Sequence, residues 1–258
     1  MKQGQMIEIR DVRIGEGKPK ICVTIAGQTE EEVRLEAVRA AESGAEIIEW
    51  RADYFADWKT ETSVLRMLKI IRMCIGDKLF YFTFRTAEEG GHTNVRDNEY
   101  MSIIRLAIDS RLIDLVDVEC CVSEYRATEL ITYAKNGRTP VIGSNHSFNK
   151  MLTIGELEFR IRYMQRLGVD AVQIGVVPNS RRDMNRLLNA VYDLTDDLDF
   201  PIAVYSMGEY GRFLLGAGEF FGSCITFASL HPENGDGVDV SLLSTVVDGL
   251  HELNCGYI

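Results

Sequence analysis

Lys20-Ile21-Cys22-Val23-Thr24-Ile25-Ala26, followed by Gly27-Gln28-Thr29, decides between two α/β architectures. The first seven residues form a short, mostly apolar run, as expected of a strand covered on both faces of a parallel sheet. A doubly wound open sheet would follow such an early strand with a glycine-rich phosphate loop. Gly27-Gln28-Thr29 is not one. The run therefore reads as the first strand of a closed (β/α)8 barrel.

Outward from this strand, the chain alternates short β-branched runs with longer amphipathic ones about eight times, as a full barrel requires. Further strands are predicted at 47–51, 79–85, 115–119, 141–145, 171–175, 202–206 and 224–229. A helix is predicted over 30–43, with Val33, Ala37, Val38 and Ala41 on one face and a stop at Gly44. Another is predicted over 153–167, opened by the capping box Thr153-x-x-Glu156 and closed by Gly168. Residues 180–194 and 238–253 carry the same helical period. Before the first strand, 6–10 and 12–14 read as a small β-hairpin. The expected organisation is one TIM-barrel domain over 1–258, with 1–18 closing the lower mouth.

The bulk numbers agree with that expectation. A chain of 258 residues with 46% hydrophobic composition suits one large core. With 39 acidic against 28 basic residues, the net charge of −11 argues against nucleic-acid or anionic-membrane partners. Neither a signal-like segment nor an apolar stretch of membrane-spanning length is visible. The six cysteines lack CxxC spacing and several lie in apolar runs, so they read as buried thiols of a reduced compartment. A cytoplasmic location is expected.

Barrel enzymes keep their chemistry at the C-terminal ends of the strands. There the sequence puts Glu49 and Arg51, then Arg85 followed by Glu88 and Glu89, then Asp117 and Glu119, then Asn145 and His146, then Gln173. Charges gathered at one mouth are costly unless they pair or bind something. A small-molecule site is expected.

The segments Glu49-Trp50-Arg51-Ala52-Asp53-Tyr54-Phe55, Phe82-Thr83-Phe84-Arg85-Thr86-Ala87-Glu88-Glu89-Gly90-Gly91, Ser144-Asn145-His146-Ser147-Phe148 and Ala217-Gly218-Glu219-Phe220-Phe221-Gly222-Ser223 resemble the type I 3-dehydroquinate dehydratase family. The resemblance runs in order along nearly the whole chain. It implies a (β/α)8 barrel and a carbon–oxygen lyase that dehydrates a cyclic polyhydroxy ketone without metal or organic cofactor. His146 would be the acid/base, oriented by Glu89, with Glu49, Arg51 and Arg85 on substrate hydroxyls. Where the family carries an imine-forming lysine, this chain has Gln173, whose amide nitrogen cannot form an imine.

Other family positions differ as well. The family's carboxylate-binding arginine aligns with Leu215, three residues after Arg212, which stands as the candidate replacement. In the loop after the last strand, Asn234 and Val238 stand where the family has a serine and a glutamine. Lys150 is the lysine nearest an upper loop. Three readings follow. One is a lyase in which Gln173 hydrogen-bonds the ketone oxygen. The second is a catalytically silent homologue binding a related metabolite as sensor or partner. The third, a divalent-metal enzyme using Glu49, Glu119 and His146, is opposed by the nearby Arg51 and Arg85. The lyase is the expected function, acting as a homodimer.

Overall fold

Every one of the eight apolar runs becomes a strand, and all eight pair in parallel. The computed structural model describes residues 6–148, 151–198, 200–232 and 237–255. The barrel strands are β3 (Lys20–Ile25), β4 (Ile47–Arg51), β5 (Leu79–Thr83), β6 (Leu115–Glu119), β7 (Val141–Ser147), β8 (Ala171–Val176), β9 (Ile202–Ser206) and β10 (Ile225–Ser229). Their ladder runs in the order β10-β3-β4-β5-β6-β7-β8-β9. The remaining gap is bridged just before β10, where Cys224 N–H donates to Ile202 O at 2.8 Å. The result is a nearly closed (β/α)8 TIM barrel.

Helices α1 (Glu30–Glu42), α2 (Glu61–Ile75), α3 (Asp97–Asp109), α4 (Glu124–Asn136), α5 (Ile154–Leu167), α6 (Arg181–Leu198), α7 (Gly208–Gly216), α8 (Gly218–Phe221) and α9 (Val240–Cys255) surround the strands. The expected starts hold where capping chemistry fixes them. Thr29 and Thr153 accept from the backbone N–H of Glu32 and Glu156, and those glutamates reach back to the threonine N–H groups. Gly44 and Gly168 end α1 and α5 with φ of +84° and +87°, a region that favours glycine. The buried stripe of α1 is Val33, Ala37 and Ala40, whereas Val38 is exposed and Ala41 half-buried. Spacing of three and four from Val33 reaches Ala37 and Ala40, so the stripe lies one residue round from the expected face.

Strand ends depart from the expected bounds for local reasons. β5 stops at Thr83 because the Arg85 N–H leaves the ladder and donates to Asp53 Oδ1 at 3.2 Å. β7 continues to Ser147 because His146 and Ser147 still pair with Gly175 and Val176 of β8. Helix α6 runs to Leu198, four residues beyond expectation.

The first residues of the strands form an inner cluster that includes Cys22, Ile47, Leu79, Leu115, Ile142 and Ala171. The antiparallel hairpin β1 (Ile7–Ile9) and β2 (Val12–Ile14) packs against this layer: Ile14 is buried within it, and Ile7, Ile9 and Val12 lie on it. Cys22, Cys120 and Cys224 are buried as expected, but Cys121 and Cys255 are exposed and Cys74 is half-buried. Cys121 lies two residues past the end of β6 and Cys255 is the last residue of α9, where the apolar pattern stops governing burial. Among the described residues, no helix is long and apolar enough to cross a membrane.

Candidate active site

Parallel pairing with a side-chain period of two brings the strand-end polar residues into one buried network. Glu49 on β4 accepts from Thr24 Oγ1 at 2.6 Å and Thr83 Oγ1 at 2.7 Å. Arg51, two residues on, makes a bidentate pair with Asp53 through Nε (2.7 Å) and Nη2 (2.9 Å) and stacks over the Tyr54 ring at 5.0 Å. Burial alone would raise the Asp53 carboxyl. The Arg51 pair and the N–H groups of His92 and Arg85 outweigh it and hold Asp53 below its usual range.

Arg85 is the hub. It is buried, and its Nη2 donates to Asp117 Oδ2 at 2.9 Å while Nη1 donates to Ser144 Oγ at 2.7 Å and Glu119 Oε1 at 3.3 Å. Glu89 Oε2 lies 3.7 Å from the same Nη1. Glu119 also accepts from Thr86 N–H (2.7 Å), Thr86 Oγ1 (2.8 Å) and Arg126 Nη2 (3.0 Å). Arg126 arrives from α4, fully buried, with its guanidinium 4.3 Å from the Tyr100 ring centroid. Three carboxylates thus share two guanidinium groups, an arrangement that favours one retained proton. Burial pushes the Glu89 and Glu119 carboxyls up to about 7 against the lowering pull of Arg85.

Glu89 leads to His146. Its Oε1 accepts from Asn145 Nδ2 at 2.8 Å, and Oε2 faces His146 N (3.0 Å) and Nδ1 (3.1 Å). Burial first, and the Arg85 charge second, push the His146 imidazole well below its usual pKa, so it is neutral at pH 7. On its far side, His146 Nε2 lies 3.3 Å from Gln173 Nε2 on β8. An amide nitrogen only donates, so in this arrangement His146 Nε2 accepts and Nδ1 carries the proton toward Glu89. The Gln173 Oε1 in turn accepts from Tyr81 O–H at 3.1 Å, and the same hydroxyl lies 2.9 Å from Asp117 Oδ2. Gly175 is required beside this chain of contacts: a Cβ there would sit 2.1 Å from His146 Cδ2.

The structure therefore gathers Glu49, Arg51, Arg85, Glu89, His146 and Gln173 at one mouth. Arg212 is exposed on α7, one turn before the buried Leu215. Asn234 and Lys150 lie outside the described residues. Sequence reasoning gives no role to Tyr81, Asn145 or Arg126. Tyr81 carries a usable signal, since it shares the inward period with Thr83. Arg126 carries none, because a helix arginine gives no local sign of entering the core.

A cleft of about 600 Å³ opens beside Glu89, Asn145 and His146, with Cys121, Arg160 and Tyr163 on its outer wall. Arg160 Nη1 hydrogen-bonds Asn145 Oδ1, which ties that wall to Glu89 through Asn145.

Comparisons with known proteins bear on this geometry. A family model described as type I 3-dehydroquinase matches residues 21–247. The chain is 38% identical over 248 residues to the 3-dehydroquinate dehydratase of Salmonella paratyphi B, covering 95% of this chain and 98% of that protein. It superposes on the type I 3-dehydroquinate dehydratase from Clostridium difficile, solved with covalently modified comenic acid, with a TM-score of 0.94 and 32% identity over 96% of this chain and 99% of that one. The Geobacillus kaustophilus 3-dehydroquinate dehydratase gives a TM-score of 0.91 and 28% identity, with 97% and 98% covered.

Proposed function

The chain belongs to the type I 3-dehydroquinase family, and on that premise we propose that it is a carbon–oxygen lyase for a cyclic polyhydroxy ketone that works without an imine. The observation that carries this reading is the continuous Glu89–His146–Gln173 contact at the barrel mouth. His146 is neutral with Nδ1 held by Glu89, and its Nε2 lone pair, which accepts from Gln173 in the observed arrangement, becomes available to substrate once the Gln173 N–H turns to the ketone oxygen. That is the geometry of a general base with an orienting carboxylate.

In the proposed reaction, His146 Nε2 takes the proton from the carbon next to the ketone. The electron pair moves onto the ketone oxygen, and an N–H of Gln173 stabilises the enolate. The pair then returns to expel the β-hydroxyl, which receives its proton from the His146 imidazolium and departs as water. The product is a conjugated enone. Gln173 stands where the family has its imine-forming lysine, so one amide donor replaces a covalent electron sink. Such a donor is worth roughly 10²–10³ in rate, and the expected rate on 3-dehydroquinate is accordingly low.

Glu49, Arg51 and Arg85 face the same mouth and are assigned to substrate hydroxyls. Each already has protein partners that fix its position, so little ordering remains for substrate to impose. A buried leucine at position 215 leaves no cation there for a substrate carboxylate.

The intact Glu89–His146 pair and the relatives' shared name favour the lyase over a silent, ligand-binding homologue. The test is formation of the enone chromophore from 3-dehydroquinate and from related cyclic hydroxy ketones. His146→Ala should lose at least about a hundredfold in kcat, the usual scale for an acid/base group. Turnover that survives His146→Ala would remove the mechanism.

A further inference from the structure

Away from the barrel mouth, three metal-binding side chains of different kinds converge. His251 and Cys255 lie four residues apart on α9 and so share a helix face. Glu219 reaches them from α8 with its carboxylate almost wholly buried, at 6% side-chain exposure. His251 Nδ1 is 3.0 Å from both carboxylate oxygens, and Cys255 Sγ is 3.7–3.8 Å from the two ring nitrogens. One ligand atom from each residue falls within 4.8 Å of the others, which happens at no other group of His, Cys, Asp and Glu among the described residues.

We propose that Glu219, His251 and Cys255 bind one zinc ion that clamps the C-terminal helix α9 to α8. Zinc takes sulfur at about 2.3 Å and nitrogen or oxygen at about 2.0–2.2 Å in a tetrahedron, so neighbouring ligand atoms lie roughly 3.2–3.7 Å apart. The His251 Nδ1–Glu219 separation of 3.0 Å lies just under that spacing and the Cys255 Sγ–His251 Nδ1 separation of 3.8 Å just over it, and the thiol and carboxylate lie within 4.8 Å of each other, so a rotation of the Cys255 side chain completes the set. A mixed thiolate, imidazole and carboxylate set suits zinc and excludes magnesium and calcium, which take oxygen donors.

Asn254 Nδ2 donates to Glu219 Oε1 at 3.0 Å, the kind of outer contact that orients a ligating carboxylate and leaves Oε2 for the metal. The i,i+4 helix spacing places the thiol beside the ring, and the buried Glu219 carboxylate brought in from α8 adds the third donor. On binding, the Cys255 S–H bond breaks, its proton passes to solvent and the thiolate ligates the ion, with no electron transfer.

The site's place in the fold makes it a staple. Helix α9 starts beside the end of β10, where Ser229 pairs with Asp239, and runs back toward the strand starts. One turn before His251, Asp248 pairs with Lys18, which shortly precedes β3. The clamp therefore lies at the face opposite His146, where barrel residues serve stability and not chemistry.

The experiment is titration of the full-length, metal-stripped protein with Zn2+ by calorimetry, and with Co2+ by absorbance. One equivalent should bind at micromolar or tighter affinity. Co2+ should give thiolate charge-transfer and tetrahedral d–d bands, and saturating Zn2+ should raise Tm by about 5 °C. Cys255→Ser and His251→Gln should each weaken binding at least tenfold and abolish the charge-transfer band or shift the d–d bands. Cys121→Ser should bind like the unaltered protein. Absence of micromolar binding, or Zn2+ affinity equal in Cys255→Ser and the unaltered chain, would overturn the proposal.

Discussion

Gln173 Nε2 lies 3.3 Å from His146 Nε2, so the amide is a neighbour of the base itself. In the observed arrangement the amide nitrogen donates to the imidazole and the amide oxygen accepts from Tyr81. Position 173 thus sets the base's tautomer, and in the proposed reaction it also supplies the N–H for the enolate. Gln173→Met keeps the volume and removes both functions. The expected outcome is a kcat loss on the order of 10²–10³ with an unchanged circular dichroism spectrum and a KM within a few-fold. A loss confined to KM would mean that Gln173 only helps to hold substrate.

Glu89 links the site to pH. Burial raises its carboxyl from 4.5 to about 7. Between those values the folded protein keeps a proton that the unfolded chain has released. The stability this contributes is complete below about pH 4.5 and is lost as pH rises through about 7. Glu89→Gln cannot ionise and lacks this dependence. The difference in unfolding free energy between the parent and Glu89→Gln should decline by up to about 3 kcal/mol from pH 4.5 to 7 and level off above. Urea unfolding at a series of pH values measures it. Parallel curves would place the raised proton affinity elsewhere in the network, on Glu119.

Leu215 is buried at the position that the family resemblance gives to a carboxylate-binding arginine, and Arg212 is exposed on the preceding turn. A substrate carboxylate should therefore contribute little to binding. Removing the ring carboxylate from 3-dehydroquinate should lower kcat/KM by less than about tenfold, or roughly 1.4 kcal/mol. Steady-state rates on the acid and its decarboxy analogue measure this. A drop beyond about a hundredfold would show that Arg212, or a cation outside the described residues, performs the clamp.

The strands are legible because both faces of each are covered, so burial is written as uninterrupted apolar runs such as Ile47-Ile48 and Val141-Ile142. The ends of α1 and α5 are legible because Thr29, Thr153 and Gly168 carry capping chemistry in the sequence itself. Helices α2, α3 and α4 each bury an apolar stripe of helical period as well, although none of them is among the helices predicted above. At the site, the period of two finds the residues at strand ends. It places Asn145 and Tyr81 on the inward face without giving their roles, which depend on partners 56 and 92 residues away in sequence, and it gives no sign of Arg126. Only the closed barrel brings those partners together. The His251–Cys255 spacing is equally visible in the sequence, but Glu219, which gives it meaning, sits 32 residues from His251.

The central claim is dehydration by His146 with no covalent bond to substrate. The most direct test mixes the protein with 3-dehydroquinate and borohydride, follows the enone absorbance, and records the intact protein mass. Slow enone formation by protein of unaltered mass is expected, beside a Gln173→Lys variant that gains the mass of the reduced substrate. A reduced substrate adduct on the unaltered protein would show that a lysine reaches the site and forms an imine, which contradicts the account.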